Sequence, residues 1–171
     1  MSEPLRSLEG ARQIARGLAA AHVRVAASVP DTWIGSLVEE LAKIPGLKTI
    51  AACREEEALA IACGVNLAGR RGVALVQNAG LLNCGGLLAS LVELYRIPLF
   101  LLVSYRGDPR DPIFYHVPKG RHTEPVLRAL GIPYALADRR GSLEEQVRRG
   151  VEYTVEALGT FALLFSGEDL Q

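Results

Sequence analysis

Apolar residues at Leu8, Ile14, Leu18 and Ala21 recur at helical spacing, and the β-branched run VRVAAS then leads to Pro30. This predicts a helix followed by a strand. The stretch DTWIGSLVEELAKI repeats the unit: Asp31 stands at a helix start, Glu39 and Glu40 face outward, and Pro45-Gly46 stops it before the strand LKTIAA. A helix from about Glu55 to Leu67 closes at Gly69 and Gly72 and precedes the strand VALVQ. The turn NAGLLN, a helix to about Tyr95 and the strand PLFLLVS follow. Beyond them, Tyr105 to Arg121 holds Pro109, Pro112, Pro118, Gly107 and Gly120 and reads as a long irregular loop, of the kind that is usually functional or disordered. A helix from Thr123 to Leu130, the strand PYALAD, a helix from Ser142 to Leu158 and the strand FALLFS complete the chain.

Helices alternating with wholly apolar strands, without hairpin turn signals, predict an α/β fold. We expect a single three-layer domain over 1–171, with a mostly parallel six-stranded sheet and helices on both faces. Loops after the carboxyl ends of such strands gather at one rim, where ligands bind. Ser28 to Asp31, Cys53 to Glu57, Gln77 to Asn83 and the Tyr105 to Arg121 loop should meet there.

Two of these segments carry unusual residues. Glu55, Glu56 and Glu57 open a helix, where carboxylates stabilise the positive end of the dipole by about 0.3 to 1 kcal/mol each. One or two would suffice, and the first follows a strand end directly, so the group reads either as caps or as a site. In QNAGLLN, polar Gln77, Asn78 and Asn83 bracket a glycine, giving either a binding turn or a plain turn with Asn83 as the helix N-cap. The next helix, CGGLLASLVELY, has one charged residue, Glu93, and a glycine pair costing about 1 kcal/mol per residue, so we expect it at a subunit interface.

Composition narrows the partners. Lys plus Arg and Asp plus Glu both number 19, which leaves no overall field for nucleic acid or an anionic membrane. Arg139, Arg140, Arg148 and Arg149 alternate with Glu144 and Glu145 and read as a solvated helix face. The 3 cysteines have no C-x-x-C spacing, which points away from a disulfide framework or a zinc site and toward a reducing cytoplasmic compartment. The N-terminal twenty residues are charged throughout and read as a helix, not a signal peptide or membrane span.

From about Val29 to Tyr134 the chain resembles a known family. REEEALAIACGVNLAGRRGVALVQNAGLLN is similar to the pyrimidine-binding domain of thiamine diphosphate enzymes. With SYRGD, HVPKGRHT and LGIPY it resembles the sulfopyruvate and phosphonopyruvate decarboxylases. In that family a glutamate nine residues before a helix glycine activates the cofactor. With Gly64 as that glycine the role falls on Glu55, leaving Glu56 and Glu57 as dipole carboxylates. The resemblance also implies that Gln77, Asn78, Gly80 and Asn83 contact the cofactor and that Pro30, His116, Lys119 and Arg121 face the substrate, with Arg106-Gly107-Asp108 shaping the loop. Ala79, Leu82, Tyr115 and Lys119 depart from the family pattern.

The implied reaction is decarboxylation of a small anionic 2-oxo acid to the aldehyde and carbon dioxide, with the cofactor as electron sink. Glu55 would share a proton with a pyrimidine nitrogen of the cofactor. The family's GDG segment, which holds magnesium and the diphosphate, has no counterpart here, so the chain supplies no metal ligand. The resemblance therefore implies an alpha subunit in a hetero-oligomer, with the magnesium ligands on a diphosphate-binding beta subunit. A carboligase subunit, or a noncatalytic regulatory or binding subunit of the same fold, are the alternatives. The loop from Tyr105 to Arg121 is expected to be mobile without its partner.

Overall fold

A computed structural model describes residues 8–171, so the first seven residues of the expected domain and of the N-terminal helix lie outside it. The chain runs α1 Glu9–Ala20, β1 Val23–Ser28, α2 Thr32–Leu41, β2 Lys48–Ala51, α3 Glu55–Leu67 and β3 Arg71–Gln77. An irregular helical path follows: α4 Asn78–Leu81, a 3-10 turn Leu82–Cys84, α5 Gly85–Leu87 and a π-helical stretch Leu88–Glu93. Then come β4 Leu99–Ser104, a 3-10 turn Phe114–His116, α6 Val117–Ala129, β5 Tyr134–Leu136, α7 Leu143–Ala157 and β6 Thr160–Phe165. Among the described residues no helix is long and apolar enough to cross a membrane.

The six strands form one sheet in the order β2-β1-β3-β4-β6-β5, with every neighbouring pair parallel. Successive strand residues point to opposite faces, and each face buries its own core. On one face α1, α2 and α7 pack Ile14, Leu18, Ile34, Leu37 and Val147 against Leu75, Phe100, Leu102 and Phe165. On the other, Leu59, Leu81, Leu88 and Leu127 cover Ala74, Val76, Leu101, Val103 and Leu164. Because β4 is covered on both faces it is buried at all six positions, which is why its sequence is apolar without alternation.

From β1 the chain passes to β2 on one side and then to β3 on the other. The carboxyl ends of β1 and β3 therefore border a crevice, the place where ligands enter open α/β sheets.

Three expectations are corrected. The last five residues of the expected irregular loop are helical, because Pro118 sits in the first turn of α6, where its missing N–H leaves no bond unmade. The helical path after β3 begins at Asn78, not after Asn83, so Asn83 is no N-cap. Glu40, expected outside, is only 7 % exposed and lies under Lys43 and Arg12. The arginine-rich stretch does form a solvated face: on α7, Arg148 pairs with Glu145 and Glu152, and Arg149 with Glu145.

Candidate functional site

The three glutamates at the start of α3 point to different partners. Glu57 accepts a hydrogen bond from Cys53 N–H at 2.8 Å, tying the helix start to the strand end. Glu56 pairs with Arg54; its own backbone N–H and that guanidinium hold its carboxyl below the usual range. Glu55 is half-buried and has no hydrogen-bond partner among the described residues. Its carboxylate instead crosses the α-carbon of Gly80, where a methyl group would overlap Glu55 Cδ and Oε1. One turn further, Cys84 donates its thiol hydrogen to the Gly80 carbonyl at 3.3 Å. Burial, with Glu56 and Glu55 adding to it, pushes this thiol up to about 12, so it stays neutral beside the carboxylate.

A polar cluster bridges the crevice. Asp31 caps α2, its Oδ1 accepting from Trp33 N–H at 2.9 Å and Ile34 N–H at 2.7 Å. Its Oδ2 accepts from Gln77 Nε2 at 3.1 Å, Ser104 Oγ at 2.9 Å and Arg106 Nη2 at 2.9 Å. Burial pushes the Asp31 carboxyl up, but the bonds from Ile34, Gln77, Ser104 and the Arg106 charge outweigh that and leave it below its ordinary value. The Arg106 side chain is 4 % exposed, also donates to Thr32 Oγ1 at 2.7 Å, and lies 3.5 Å above the ring centre of Trp33. One carboxylate thus ties the ends of β1, β3 and β4 together. Pro30, immediately before it, is exposed at the rim.

Asn78 is fully buried. Its amide donates to Arg106 O and Thr123 Oγ1, each at 2.8 Å, and accepts from Arg106 N–H at 3.2 Å. Every hydrogen of that amide is used within the chain, so Asn78 braces the β3 and β4 loops against α6 rather than reaching outward. Asn83 is exposed on the 3-10 turn.

The loop after β4 makes hydrogen bonds, ion pairs and backbone contacts within its own chain. Gly107, with φ +80, packs backbone to backbone against His116 and Gly120, a contact no side chain at either glycine would permit. Asp111 takes the Gly107 N–H and the His116 ring, and Arg110 pairs with Asp108 and Asp169. His116 is buried, Lys119 half-buried and Arg121 exposed. Two residues apart on α6, Lys119 and Arg121 project roughly 200° from one another. Tyr115, which departs from the family pattern, is 58 % exposed and meets the His116 ring edge-on at 4.7 Å.

The outer faces of α3 and of the helical path from Asn78 to Glu93 are built from small residues. Ala60 and Gly64 are exposed, and the positions above Gly64, Gly85 and Gly86 meet nothing within 4 Å. The close packing expected at the glycine pair is therefore not made inside this chain.

Sequence reading treated Asp31 as a helix start and Arg106 as a loop former and passed over Asp111. No local pattern marks them, since Asp31 and Arg106 are 75 positions apart and meet only through the sheet order. The three cysteines are unpaired: Cys53 is exposed, Cys63 and Cys84 buried.

Residues 8–122 match the family model described as thiamine pyrophosphate enzyme, N-terminal TPP binding domain. The chain is 35% identical over 127 residues to the sulfopyruvate decarboxylase subunit alpha of Methanothermobacter thermautotrophicus, spanning 74% of this chain and 77% of that protein. The corresponding subunit of Methanocaldococcus jannaschii is 33% identical over 126 residues, at 74% and 75% coverage. The phosphonopyruvate decarboxylase of Streptomyces viridochromogenes is 32% identical over 129 residues, which are 74% of this chain but 32% of that one. A solved structure of 2-oxoglutarate:ferredoxin oxidoreductase from Magnetococcus marinus superposes with a TM-score of 0.74 at 15% identity, covering 94% of this chain and 29% of that chain, a likeness of fold alone. With its free glutamate lying over a glycine at the sheet's crevice, the chain belongs to the sulfopyruvate and phosphonopyruvate decarboxylase family of thiamine diphosphate enzymes, as their pyrimidine-binding domain.

Proposed function

We propose that this chain is the alpha subunit of a two-subunit thiamine diphosphate-dependent decarboxylase that converts a small anionic 2-oxo acid, sulfopyruvate- or phosphonopyruvate-like, to the aldehyde and carbon dioxide. One observation carries the reading. Of the three glutamates at the start of α3, only Glu55 has no partner within the described residues, and it is held over Gly80 at the crevice. A carboxyl group kept without a partner suits a nitrogen heterocycle that needs a proton shared.

The cofactor, when bound, supplies an electron sink for the carbon–carbon bond that breaks. The chain's residues do the rest. Glu55 holds a proton on a ring nitrogen of the pyrimidine, and Gly80 leaves the room for ring and carboxylate together. Gln77, oriented by Asp31, and exposed Asn83 would help hold the ring. Asn78 holds the Gln77 to Leu82 turn in place through α6 and the β4 loop. Pro30, His116, Lys119 and Arg121 would face the substrate, with half-buried Lys119 and exposed Arg121 on different sides of α6.

Among the described residues no three His, Cys, Asp or Glu side chains come together as a metal site. The residues do not fit magnesium, whose ligands are assigned to a diphosphate-binding beta subunit. The relatives named as alpha subunits support that partner, and so does the small-residue face of α3 and its neighbour. Co-expression with the beta subunit should give carbon dioxide release from sulfopyruvate or phosphonopyruvate that depends on thiamine diphosphate and is abolished by Glu55→Gln. A stable complex that binds cofactor and releases none from either acid or from pyruvate would sink the decarboxylase reading and turn the search to carboligation or regulation.

A further inference from the structure

Helix α4, Asn78–Leu81, is a single turn that leaves β3 and passes at once into the 3-10 turn Leu82–Cys84. So short a helix has few bonds of its own, and its place is set by what grips it. Two of its residues are gripped by different helices. Gly80 lies under the Glu55 carboxylate of α3, and the Asn78 side chain reaches Thr123 of α6.

Asn78 and Thr123 are both 0% exposed. Backbone groups fix the orientation of the Asn78 amide. Arg106 O can only accept and takes one Nδ2 hydrogen at 2.8 Å, while Arg106 N–H can only donate and meets Oδ1 at 3.2 Å. The second Nδ2 hydrogen goes to Thr123 Oγ1 at 2.8 Å. Thr123 spends its one hydroxyl hydrogen on Lys119 O at 2.7 Å, so its oxygen is the acceptor in the contact with Asn78. Neither side chain has a hydrogen or any surface left for a ligand. The set is closed, and it holds a backbone turn rather than a bound molecule.

The contacts of Gly80 pass this placement on. Two residues beyond Asn78, the Gly80 α-carbon stands where even a methyl group would overlap Glu55, and the Gly80 carbonyl is held from within the turn by the Cys84 thiol at 3.3 Å. With no slack on the α3 side, a shift of the turn at Asn78 must be taken up at Glu55. Resting on the reading of Glu55 given above, we infer that Thr123 and Asn78 are positioning residues. Through their buried bond α6 sets the place of the Gly80 turn, and thereby the place from which Glu55 meets thiamine diphosphate. The link is reciprocal, so a cofactor seated on Glu55 steadies α6 at Thr123.

The test is made in the assembled complex with the beta subunit. Thr123→Val keeps the shape of the side chain but strands one buried Asn78 hydrogen, and should weaken thiamine diphosphate binding in calorimetric titration by about 10-fold. Thr123→Ser keeps the hydroxyl and should bind within about twofold of the parent. Ile14→Val removes core volume on the opposite face of the sheet and should leave the affinity as it is, which separates positioning from a general loss of stability. In a Glu55→Gln background the effect of Thr123→Val should shrink below about twofold, because the contact it acts through is already changed. In the parent, hydrogen exchange should show the Thr123 and Leu127 backbone amides slowed by the cofactor, a readout that stands even where Thr123→Val does not assemble. Parental affinity in Thr123→Val, an undiminished effect in Glu55→Gln, or α6 exchange indifferent to cofactor would each overturn the inference and leave the decarboxylase reading intact. A parent complex that binds no thiamine diphosphate overturns both.

Discussion

The carboxylate of Glu55 lies directly over the α-carbon of Gly80, in the space that any side chain at position 80 would fill. Helix α3 and the turn after β3 are thereby fitted to each other at the one of the three glutamates opening α3 that has no hydrogen-bond or ion-pair partner within the described residues. The contact joins the two segments that the sequence marks most strongly.

Gly80→Ala should therefore displace Glu55 while leaving the sheet intact. Overpacking of this kind costs roughly 1–3 kcal/mol, and if that cost falls on the bound geometry it weakens thiamine diphosphate binding by about 5- to 150-fold. Calorimetric titration of the assembled complex measures it; unchanged affinity would show that Glu55 does not meet the cofactor.

Asp31 and Arg106 form a pair with side chains 14% and 4% exposed. Removing one partner strands the other, a loss of about 3–5 kcal/mol, whereas replacing both by apolar residues of similar size costs far less. Urea denaturation should show Arg106→Ala well below the parent and Asp31→Leu/Arg106→Met recovering much of the difference. The single tryptophan, Trp33, lies under the guanidinium and reports the change by its emission.

The carboxyls of Asp31 and Asp111 are both held below their ordinary value in the folded chain. The unfolded state takes up protons first as acid is added, so their contribution is complete above about pH 4 and is lost as pH falls through the lower folded values. Stability measured between pH 6 and pH 3 should decline, and Asp31→Asn should make the decline shallower. An identical slope in that variant would remove Asp31 from the account.

Because α6 sends Lys119 and Arg121 to different sides, their substitutions should differ. Lys119→Ala should raise KM for the sulfonate or phosphonate substrate by about 10-fold, the worth of one charge-assisted hydrogen bond, with pyruvate unaffected. Arg121→Ala should change KM by less than about twofold. Equal effects would mean that both cations reach the anion.

The order of elements, the parallel sheet and the place of the rim are legible in the chain because periodicity and turn chemistry are local properties. Helical spacing from Leu8 to Ala21 and the unbroken apolar run of β4 each announce their environment without reference to any distant residue. The carboxylates at the start of α3 are legible for the same reason, but as caps or a site; only the family resemblance, through Gly64 nine residues on, singles out Glu55 among them. The start of α6 is not, since Pro118 is compatible with a loop or with a first helical turn and only the packing of Gly120 against Gly107 selects the helix.

What the tertiary structure alone decided are the meetings of distant residues: Asp31 with Arg106, Asn78 with Thr123, Glu55 with Gly80. The Asp111–His116 bond, though local, also waits on the fold, because both groups must be buried before the bond outweighs water. The physical reason is the strand order. Parallel strands place β1, β3 and β4 side by side while the chain makes long excursions through helices between them, so the groups at their carboxyl ends become neighbours through the sheet and not through the sequence.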